Sequence, residues 1–204
     1  MRDRHALWLL LPVKSLACGK SRLAPALGKA QRRALNEFFL DHTLAVAAQF
    51  PGLHRTAVVS SDPDALTEAT RYGARTIACG QSGLNRALTL GCQEVLRGGG
   101  VKILILPIDL PLVEPNDLLE VASLGAHSVV ICPDKAGIGT NAIFLSRRSE
   151  IEFKFGEDSY RRHQEEITRC GLVPKLHFNE RIASDVDVPG DLAILREHLC
   201  VPKP

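Results

Sequence analysis

The chain contains 204 residues, of which 45% are hydrophobic and 24% are charged, and its formal net charge is +2. This length and composition predict one globular domain spanning residues 1–204. The small net charge provides no dense basic face, so we expect no nucleic-acid partner. No apolar run reaches the roughly 18–20 residues that span a bilayer, and no two cysteines form a C-x-x-C pair. We therefore expect a cytoplasmic protein without a membrane anchor.

Apolar runs alternate with helical periodicity along the whole sequence. Continuous apolar runs at 6–13 and 101–108 are typical of strands buried on both faces. Further strands are predicted at 56–60, 75–79, 128–132 and 141–145, with short extended pieces at 173–178 and 184–188. Helices are predicted at about 29–50, 62–72, 85–96, 115–124, 159–170 and 190–199.

This order of elements indicates an α/β fold with a mostly parallel sheet, because strands alternate with helices of similar length. In open sheets of this kind, ligands bind beyond the carboxyl ends of the strands. The loops that begin at Lys14, Ser60, Gly80, Asp109 and Pro133 all leave predicted strand ends. We therefore look for functional residues in these loops.

The basic loop, residues 14–28, contains Lys14, Gly19, Lys20 and Arg22 directly after the first strand. A glycine admits close backbone approach, and the cations can neutralise polyphosphate. The loop does not match the Walker A pattern, and the chain has no G-x-G-x-x-G fingerprint. A solvated basic loop without a ligand is the alternative interpretation.

Three aspartates could form a carboxylate site. Asp109 follows the predicted central strand between two prolines, and Asp185 and Asp187 lie two residues apart in an extended piece. Side chains two apart in an extended chain point to the same face. Magnesium prefers one or two carboxylates together with substrate phosphates. Ordinary turn or helix-capping roles are the alternative for each aspartate.

Two further segments contain residues suited to binding an anion. The loop at 133–141 has two glycines and ends near Thr140, whose hydroxyl could donate to a phosphate or carboxylate. Ser159 begins a predicted helix, where backbone N–H groups attract anions, although a helix cap would use the same residue. We interpret His163 as a residue on the face of that helix rather than a ligand contact.

Gly83 and Asn85 begin another predicted helix after a glycine-containing loop. The Asn85 amide could read a base or a ribose edge. It could equally cap the helix.

Taken together, these motifs resemble the 2-phospholactate guanylyltransferase family, which makes an intermediate of the deazaflavin coenzyme F-420. The resemblance covers residues 11–192, and the motifs between 133 and 159 are its most specific part. The matching motifs, in chain order, are Pro-Val-Lys, Lys-Ser-Arg-Leu, Gly-Leu-Asn, Asp-Leu-Pro, Pro-Asp-x-x-Gly-x-Gly-Thr-Asn, Phe-Gly-x-x-Ser and Asp-Val-Asp-x-Pro.

The resemblance implies a Rossmann-like, three-layer nucleotidyltransferase fold and a reaction that joins GTP to a phosphorylated three-carbon acid with release of pyrophosphate. It also implies a downstream partner, a transferase that joins the product to a deazaflavin. The residues that it implies are Lys14, Lys20, Arg22, Gly83 and Asn85 for GTP, Asp109, Asp185 and Asp187 for Mg²⁺, and Thr140, Gly156 and Ser159 for the acid.

The sequence leaves several alternatives open. The acid could be 3-phosphoglycerate or phosphoenolpyruvate, which the arginine-rich, bacterial-type composition favours, or 2-phospholactate. A molybdenum-cofactor or sugar-phosphate nucleotidyltransferase and a non-catalytic nucleotide-binding module are competing functions. The basic loop departs from the broader nucleotidyltransferase pattern, because Gly19 is its one glycine before Arg22. The oligomeric state also stays open, with a homodimer as one candidate.

Overall fold

A computed structural model of the chain describes residues 7–81, 83–125, 129–146 and 151–198. Three expected boundaries, at residues 6, 128 and 199, lie outside these ranges. Within the described residues, no helix is both long and apolar enough to cross a membrane.

In the described part of the chain, seven strands form one sheet. They are β1 (Leu7–Val13), β2 (Thr56–Ser60), β3 (Arg75–Ala78), β4 (Lys102–Ile105), β5 (Val129–Pro133), β6 (Thr140–Ser146) and β7 (Pro174–Leu176). Their order in the sheet is β3-β2-β1-β4-β6-β5-β7. β6 runs antiparallel to β4 and β5, and the other neighbouring pairs are parallel. The predicted mostly parallel sheet is therefore confirmed.

Seven helices occur within the described residues, and the first five lie between strands. They are α1 (Lys29–Gln49), α2 (Pro63–Tyr72), α3 (Leu84–Arg97), α4 (Pro115–Leu124), α5 (Ser159–Arg169), α6 (Glu180–Ala183) and α7 (Leu192–His198). Short 3₁₀ turns occur at Ser21–Leu23, Leu53–Arg55 and Pro189–Asp191.

The core lies in two layers, one on each face of the sheet. Successive side chains of a strand point to opposite faces. Leu9 and Leu11 of β1 therefore pack with the α1 and α4 side, whereas Leu10 packs with α3 and α5. All three side chains are fully buried. This arrangement is the three-layer α/β fold that the sequence predicts.

The carboxyl end of β4 differs from the prediction. The strand ends at Ile105, and its expected extension to residue 108 is wrong. Leu106 still donates its N–H to the carbonyl of Leu10, at 3.1 Å. Pro107 has no N–H to continue the ladder. Residues 107–109 therefore leave the sheet and turn toward the region where ligands are expected.

The acidic segment, residues 184–188, also differs from expectation, because it is not a strand and it follows a short helix, α6, that the sequence did not indicate. Asn179 caps α6 by accepting the N–H groups of Arg181 and Ile182. Asp117 of α4 is 1% exposed and accepts from both Arg181 and Asn179. A buried carboxylate on α4 therefore anchors the helix that leads into the acidic segment.

We predict that Gly125→Ala destabilises the fold. An added Cβ would overlap the ring of Phe144, which is fully buried and has no space to move aside. Overpacking of this kind costs about 1–3 kcal/mol. Urea denaturation would measure the loss. Gly190→Ala is the matched control, since a Cβ there meets nothing within 4 Å. Equal stability of the two variants would contradict the prediction.

Candidate active site

The loops that leave the carboxyl ends of the parallel strands surround one open cleft of about 840 Å³. Its walls include predicted residues from four separate segments: Lys14, Lys20, Arg22, Thr140, Gly156, Ser159, Asp185 and Asp187. An adjoining pocket of about 240 Å³ adds Asp109 and shares Lys20, Thr140 and the two other aspartates. The fold thus brings together residues that are up to 173 positions apart, between Lys14 and Asp187.

A second pocket, of about 250 Å³, lies beside the cleft and shares Lys14 with it. The loops after β1, β2 and β3 form its walls, and Gly83 and Leu84 at the start of α3 close it. Gly83 has a φ of 80°, a left-handed conformation that favours glycine. The predicted nucleotide-side residues Lys14 and Gly83 therefore line a common pocket.

Lys20 is the centre of the charged site. Its ammonium forms a short ion pair with Asp109 and a second one, at 3.1 Å, with Asp187. Only 9% of the Lys20 side chain is exposed. Burial alone would lower the pKa of Lys20, but the two carboxylates outweigh it and raise the pKa. Lys20 is therefore a fixed cation between two aspartates rather than a solvated surface charge.

The backbone of the basic loop explains how Lys20 reaches this position. Gly19 donates its N–H to the carbonyl of Ser15, at 2.8 Å, and Lys20 has a positive φ of 57°. A Cβ at residue 19 would lie 2.7 Å from the Asn36 side chain. The Asn36 amide is buried and donates to the carbonyl of Leu16. Gly19 thus allows α1 to approach the loop, a reason that the sequence pattern did not reveal.

The three aspartates converge as predicted. The N–H of Val186 donates to the carbonyl of Asp109, at 3.1 Å, and so joins the acidic segment to the end of β4. Asp185 accepts from the Asn141 amide at 3.0 Å. Burial and the neighbouring Asp109 raise the pKa of Asp185. Burial also favours a higher pKa for Asp187. The positive charges of Lys20 and Arg22 outweigh this effect and lower the pKa of Asp187.

The chemistry of these side chains suits a divalent cation. Lys20 already occupies the space between Asp109 and Asp187 that a cation would share, and carboxylate oxygens are the ligands that Mg²⁺ prefers. In the conformation observed for the described ranges, no three acidic, His or Cys side chains are close enough to hold an ion by themselves. Mg²⁺ commonly completes its coordination with water and substrate phosphates, so two or three carboxylates fit it.

The residues predicted to bind the acid, Thr140, Gly156 and Ser159, line the same cleft. Thr140 begins β6, and Ser159 begins α5 with only 2% of its surface exposed. Gly156 has a φ of 122°, and a Cβ there would meet nothing within 4 Å. Glycine is therefore needed at this position for backbone conformation and not for space.

Asp134 shapes the glycine loop that leads to Thr140. Its carboxylate accepts the N–H groups of Ile138 and Gly139, at 2.9 and 2.8 Å. The carbonyl of Ile138 in turn accepts the N–H of Tyr160, which docks the first turn of α5 on the loop. Sequence reasoning did not single out Asp134, although an aspartate followed by two glycines is a typical turn pattern.

Asn85 makes a pair of hydrogen bonds that the sequence did not predict. Its amide oxygen accepts the N–H of Phe155 at 2.9 Å, and its amide nitrogen donates to the carbonyl of the same residue at 3.2 Å. The Asn85 side chain, which was predicted to contact the nucleotide, therefore holds the backbone of residues 151–158, the acid-side segment, through Phe155. Its contact with GTP stays a prediction.

His163 lies on α5, as expected, and its side chain is buried. Its exposure is 0%, and both ring nitrogens make hydrogen bonds, to Thr140 and to the N–H of Lys154. Burial is the main cause that lowers its pKa, to about 4. The neutral ring therefore supports Thr140 from inside the protein, a role that its sequence position did not indicate.

The fold is that of nucleotidyltransferases. It superposes on CMP:2-keto-3-deoxy-manno-octonic acid synthetase with a TM-score of 0.64 and 13% identity, covering 95% of this chain and 98% of that one. For 4-diphosphocytidyl-2C-methyl-D-erythritol synthase, the TM-score is 0.66 at 15% identity, with 95% and 97% covered. The chain thus has the fold of these two enzymes.

Sequence similarity specifies the family. Residues 7–198 match the family described as "Guanylyl transferase CofC like". A phosphoenolpyruvate guanylyltransferase of Rubrobacter xylanophilus is 39% identical over 193 residues, covering 93% of each chain. One of Sphaerobacter thermophilus is 36% identical, covering 93% of this chain and 92% of its own. The protein belongs to the CofC-like guanylyl transferase family, and it is a nucleotidyl-transferring enzyme.

We predict that Lys20→Met destabilises the protein in the absence of divalent cations. The variant leaves Asp109 and Asp187 close together without the ammonium between them. Because these carboxylates are partly exposed, the loss should be about 2 kcal/mol, below that of a fully buried pair. Urea denaturation in the presence of a chelator would measure it.

Arg22→Met is the matched control for this variant. Arg22 also pairs with Asp187, at 2.8 Å, but 73% of its side chain is exposed. Exposed pairs contribute about 0–1 kcal/mol, so this variant should remain close to the wild type. If both variants lost the same stability, Lys20 would not be the central cation.

Proposed function

We propose that the enzyme transfers the guanylyl group of GTP to phosphoenolpyruvate and releases pyrophosphate. The observation that carries this proposal is the meeting of the Lys20 carboxylate site with the wall formed by Thr140, Gly156 and Ser159 in one cleft. The curated relatives at 36–39% identity are named for the same activity. Their names favour phosphoenolpyruvate over 3-phosphoglycerate and 2-phospholactate.

In the proposed reaction, a phosphate oxygen of phosphoenolpyruvate attacks the α-phosphorus of GTP. A new phosphorus–oxygen bond forms, the bond between the α-phosphorus and its bridging oxygen breaks, and pyrophosphate leaves with that oxygen. The attacking oxygen is already an anion, so the reaction requires no general base. What the protein must supply is alignment and charge neutralisation for two polyanions.

The geometry suggests how the two substrates share the site. We place the guanosine of GTP in the pocket beside Gly83 and its phosphates along Lys14, Lys20 and Arg22. We place the acid against Thr140, Gly156 and Ser159, at the N-terminus of α5, where the helix dipole favours an anion. The reacting atoms then meet above the three aspartates.

We propose Mg²⁺ as the cofactor, held by Asp109, Asp185 and Asp187. When bound, it would neutralise charge on the phosphates at the reacting centre. Lys20 could then turn its ammonium from the carboxylates to a phosphate oxygen, since its pairing with Asp109 and Asp187 would no longer be needed.

The product would carry a reactive diphosphate link between guanosine and the acid. We propose that a second transferase, acting on a deazaflavin in coenzyme F-420 biosynthesis, consumes it, and that both enzymes work in the cytoplasm, where GTP and phosphoenolpyruvate are made. A homodimer is compatible with this proposal.

The activity predicts pyrophosphate release from GTP and phosphoenolpyruvate that depends on Mg²⁺. Each of the three acids should be offered separately at equal concentration, with ATP replacing GTP in a parallel series. We expect the highest kcat/KM with phosphoenolpyruvate and little release with ATP. Release with 3-phosphoglycerate or 2-phospholactate alone would reassign the acid, and no release with any acid would contradict the proposed function.

Asp109→Asn and Asp64→Asn provide the matched pair for this assay. Asp109 lies beside Lys20 in the site, whereas Asp64 is exposed on α2 and pairs with Arg33. We expect Asp109→Asn to lower kcat by about 100-fold or more, the range seen when one electrostatic contact to a reacting centre is removed. Asp64→Asn should retain wild-type kcat.

Gly156→Ala should weaken binding of the acid. The positive φ of residue 156 strains any side chain by about 1–3 kcal/mol, so the backbone would shift at the wall that faces the acid. Gly171→Ala is matched, because residue 171 also has positive φ and open space, but it lies after α5. Both variants should lose stability in urea denaturation. Only Gly156→Ala should raise the KM for phosphoenolpyruvate, and equal KM values would contradict its role.

A further inference from the structure

His163 connects three segments of the acid-binding wall. Its Nδ1 lies 3.0 Å from the Thr140 hydroxyl oxygen, and its Nε2 lies 2.9 Å from the backbone nitrogen of Lys154. The ring is fully buried, and the edge of Phe155 packs against it with centroids 4.8 Å apart. The imidazole is therefore fixed in position and in plane.

These contacts determine which ring nitrogen carries the proton. A backbone N–H can only donate, so Nε2 must offer its lone pair to Lys154. Burial keeps the ring neutral, with a pKa of about 4. A neutral imidazole has one proton, which must then reside on Nδ1.

The tautomer in turn orients the Thr140 hydroxyl. A protonated Nδ1 has no lone pair, so the Thr140 oxygen accepts from it and cannot donate to it. The hydroxyl proton must point elsewhere, and Thr140 lines the cleft. We propose that His163 is a positioning residue, which makes the Thr140 hydroxyl a hydrogen-bond donor toward an anionic oxygen of the phosphorylated acid.

This inference rests on the proposed function for the identity of the acid. The inference concerns the direction of the hydrogen bond between Thr140 and His163. With the opposite tautomer, the hydroxyl would donate to His163 and present only lone pairs to the cleft, where a carboxylate or phosphate oxygen would be repelled. With the Nδ1–H tautomer, the donor is directed to the acid before it binds, at no cost of reorientation.

The first test measures the tautomer in the unmodified protein. Nitrogen-15 NMR of the imidazole distinguishes a protonated from an unprotonated ring nitrogen, and the His163 signals are those missing from the spectrum of a His163→Asn variant. We expect the Nδ1–H form at neutral pH, with and without phosphoenolpyruvate. An Nε2–H or doubly protonated ring would overturn the inference, even if the enzyme were fully active.

The second test separates positioning from general support of the fold. His163→Leu removes both hydrogen bonds, whereas His163→Asn keeps an amide N–H near the position of Nδ1. We expect His163→Leu to raise the KM for phosphoenolpyruvate about tenfold. This is the fold-change in affinity expected when one hydrogen bond to a charged group is lost. The KM for GTP should stay within about twofold, and His163→Asn should recover most of the loss.

A double-mutant cycle with Thr140→Val completes the test. If His163 acts through Thr140, His163→Leu should add less than about twofold to the KM for phosphoenolpyruvate in the Thr140→Val background. Independent effects, or a parallel rise of both KM values, would overturn the inference. Absence of turnover with GTP and phosphoenolpyruvate in the wild type would instead contradict the proposed function, and the tautomer measurement would still decide the orientation of Thr140.

Discussion

The sharing of one ammonium between two carboxylates is the interaction on which the site depends. Asp109 and the acidic segment, residues 184–188, are far apart in the sequence but lie at the same end of the sheet. The hydrogen bond from the Val186 N–H to the Asp109 carbonyl joins them. Two carboxylates at this spacing repel each other unless a cation joins them. Lys20 is that cation, and the close approach of α1 at Gly19 allows the basic loop to deliver it.

The part of the cleft formed by Thr140, Gly156 and Ser159 is supported by side chains from α3 and α5. Asn85 fixes both polar groups of the Phe155 backbone, and His163 accepts the N–H of the neighbouring Lys154. Gly156 follows directly, so its positive φ lies between a fixed residue and the start of α5. Asn85 belongs to α3, and the start of α3 lines the pocket beside the cleft. The hydrogen bonds of Asn85 to Phe155 therefore join this pocket directly to the acid-side segment. Displacement of α3 would therefore move the acid-side segment as well.

Much of this architecture could be predicted because the deciding signals are local. The apolar run of β1 acts within a few residues. The end of β4 was predicted wrongly, because the run of apolar residues continues past the last ladder residue, Ile105. The contacts of His163 depend instead on which segments pack together, and a single sequence contains no such information. The pattern around Asn85 was equally compatible with capping, base contact or the observed clamp. The helix α6 is four residues long, and its periodicity is too short to detect in the sequence.

The charge balance of the cleft supports our proposal that a further cation takes part in the reaction. Lys14, Lys20 and Arg22 line the cleft and its adjoining pocket together with six acidic side chains, so negative side chains outnumber positive ones before any substrate arrives. The six are Asp109, Asp134, Glu157, Asp158, Asp185 and Asp187. Two polyanions that enter such a site must be neutralised by something other than these side chains, or must displace Lys20 from its carboxylates. The proposed metal ion on the aspartates would achieve both, because it would replace the ammonium and leave it available for phosphate. The same carboxylates that stabilise the free protein by holding Lys20 would then stabilise the loaded enzyme by holding the metal.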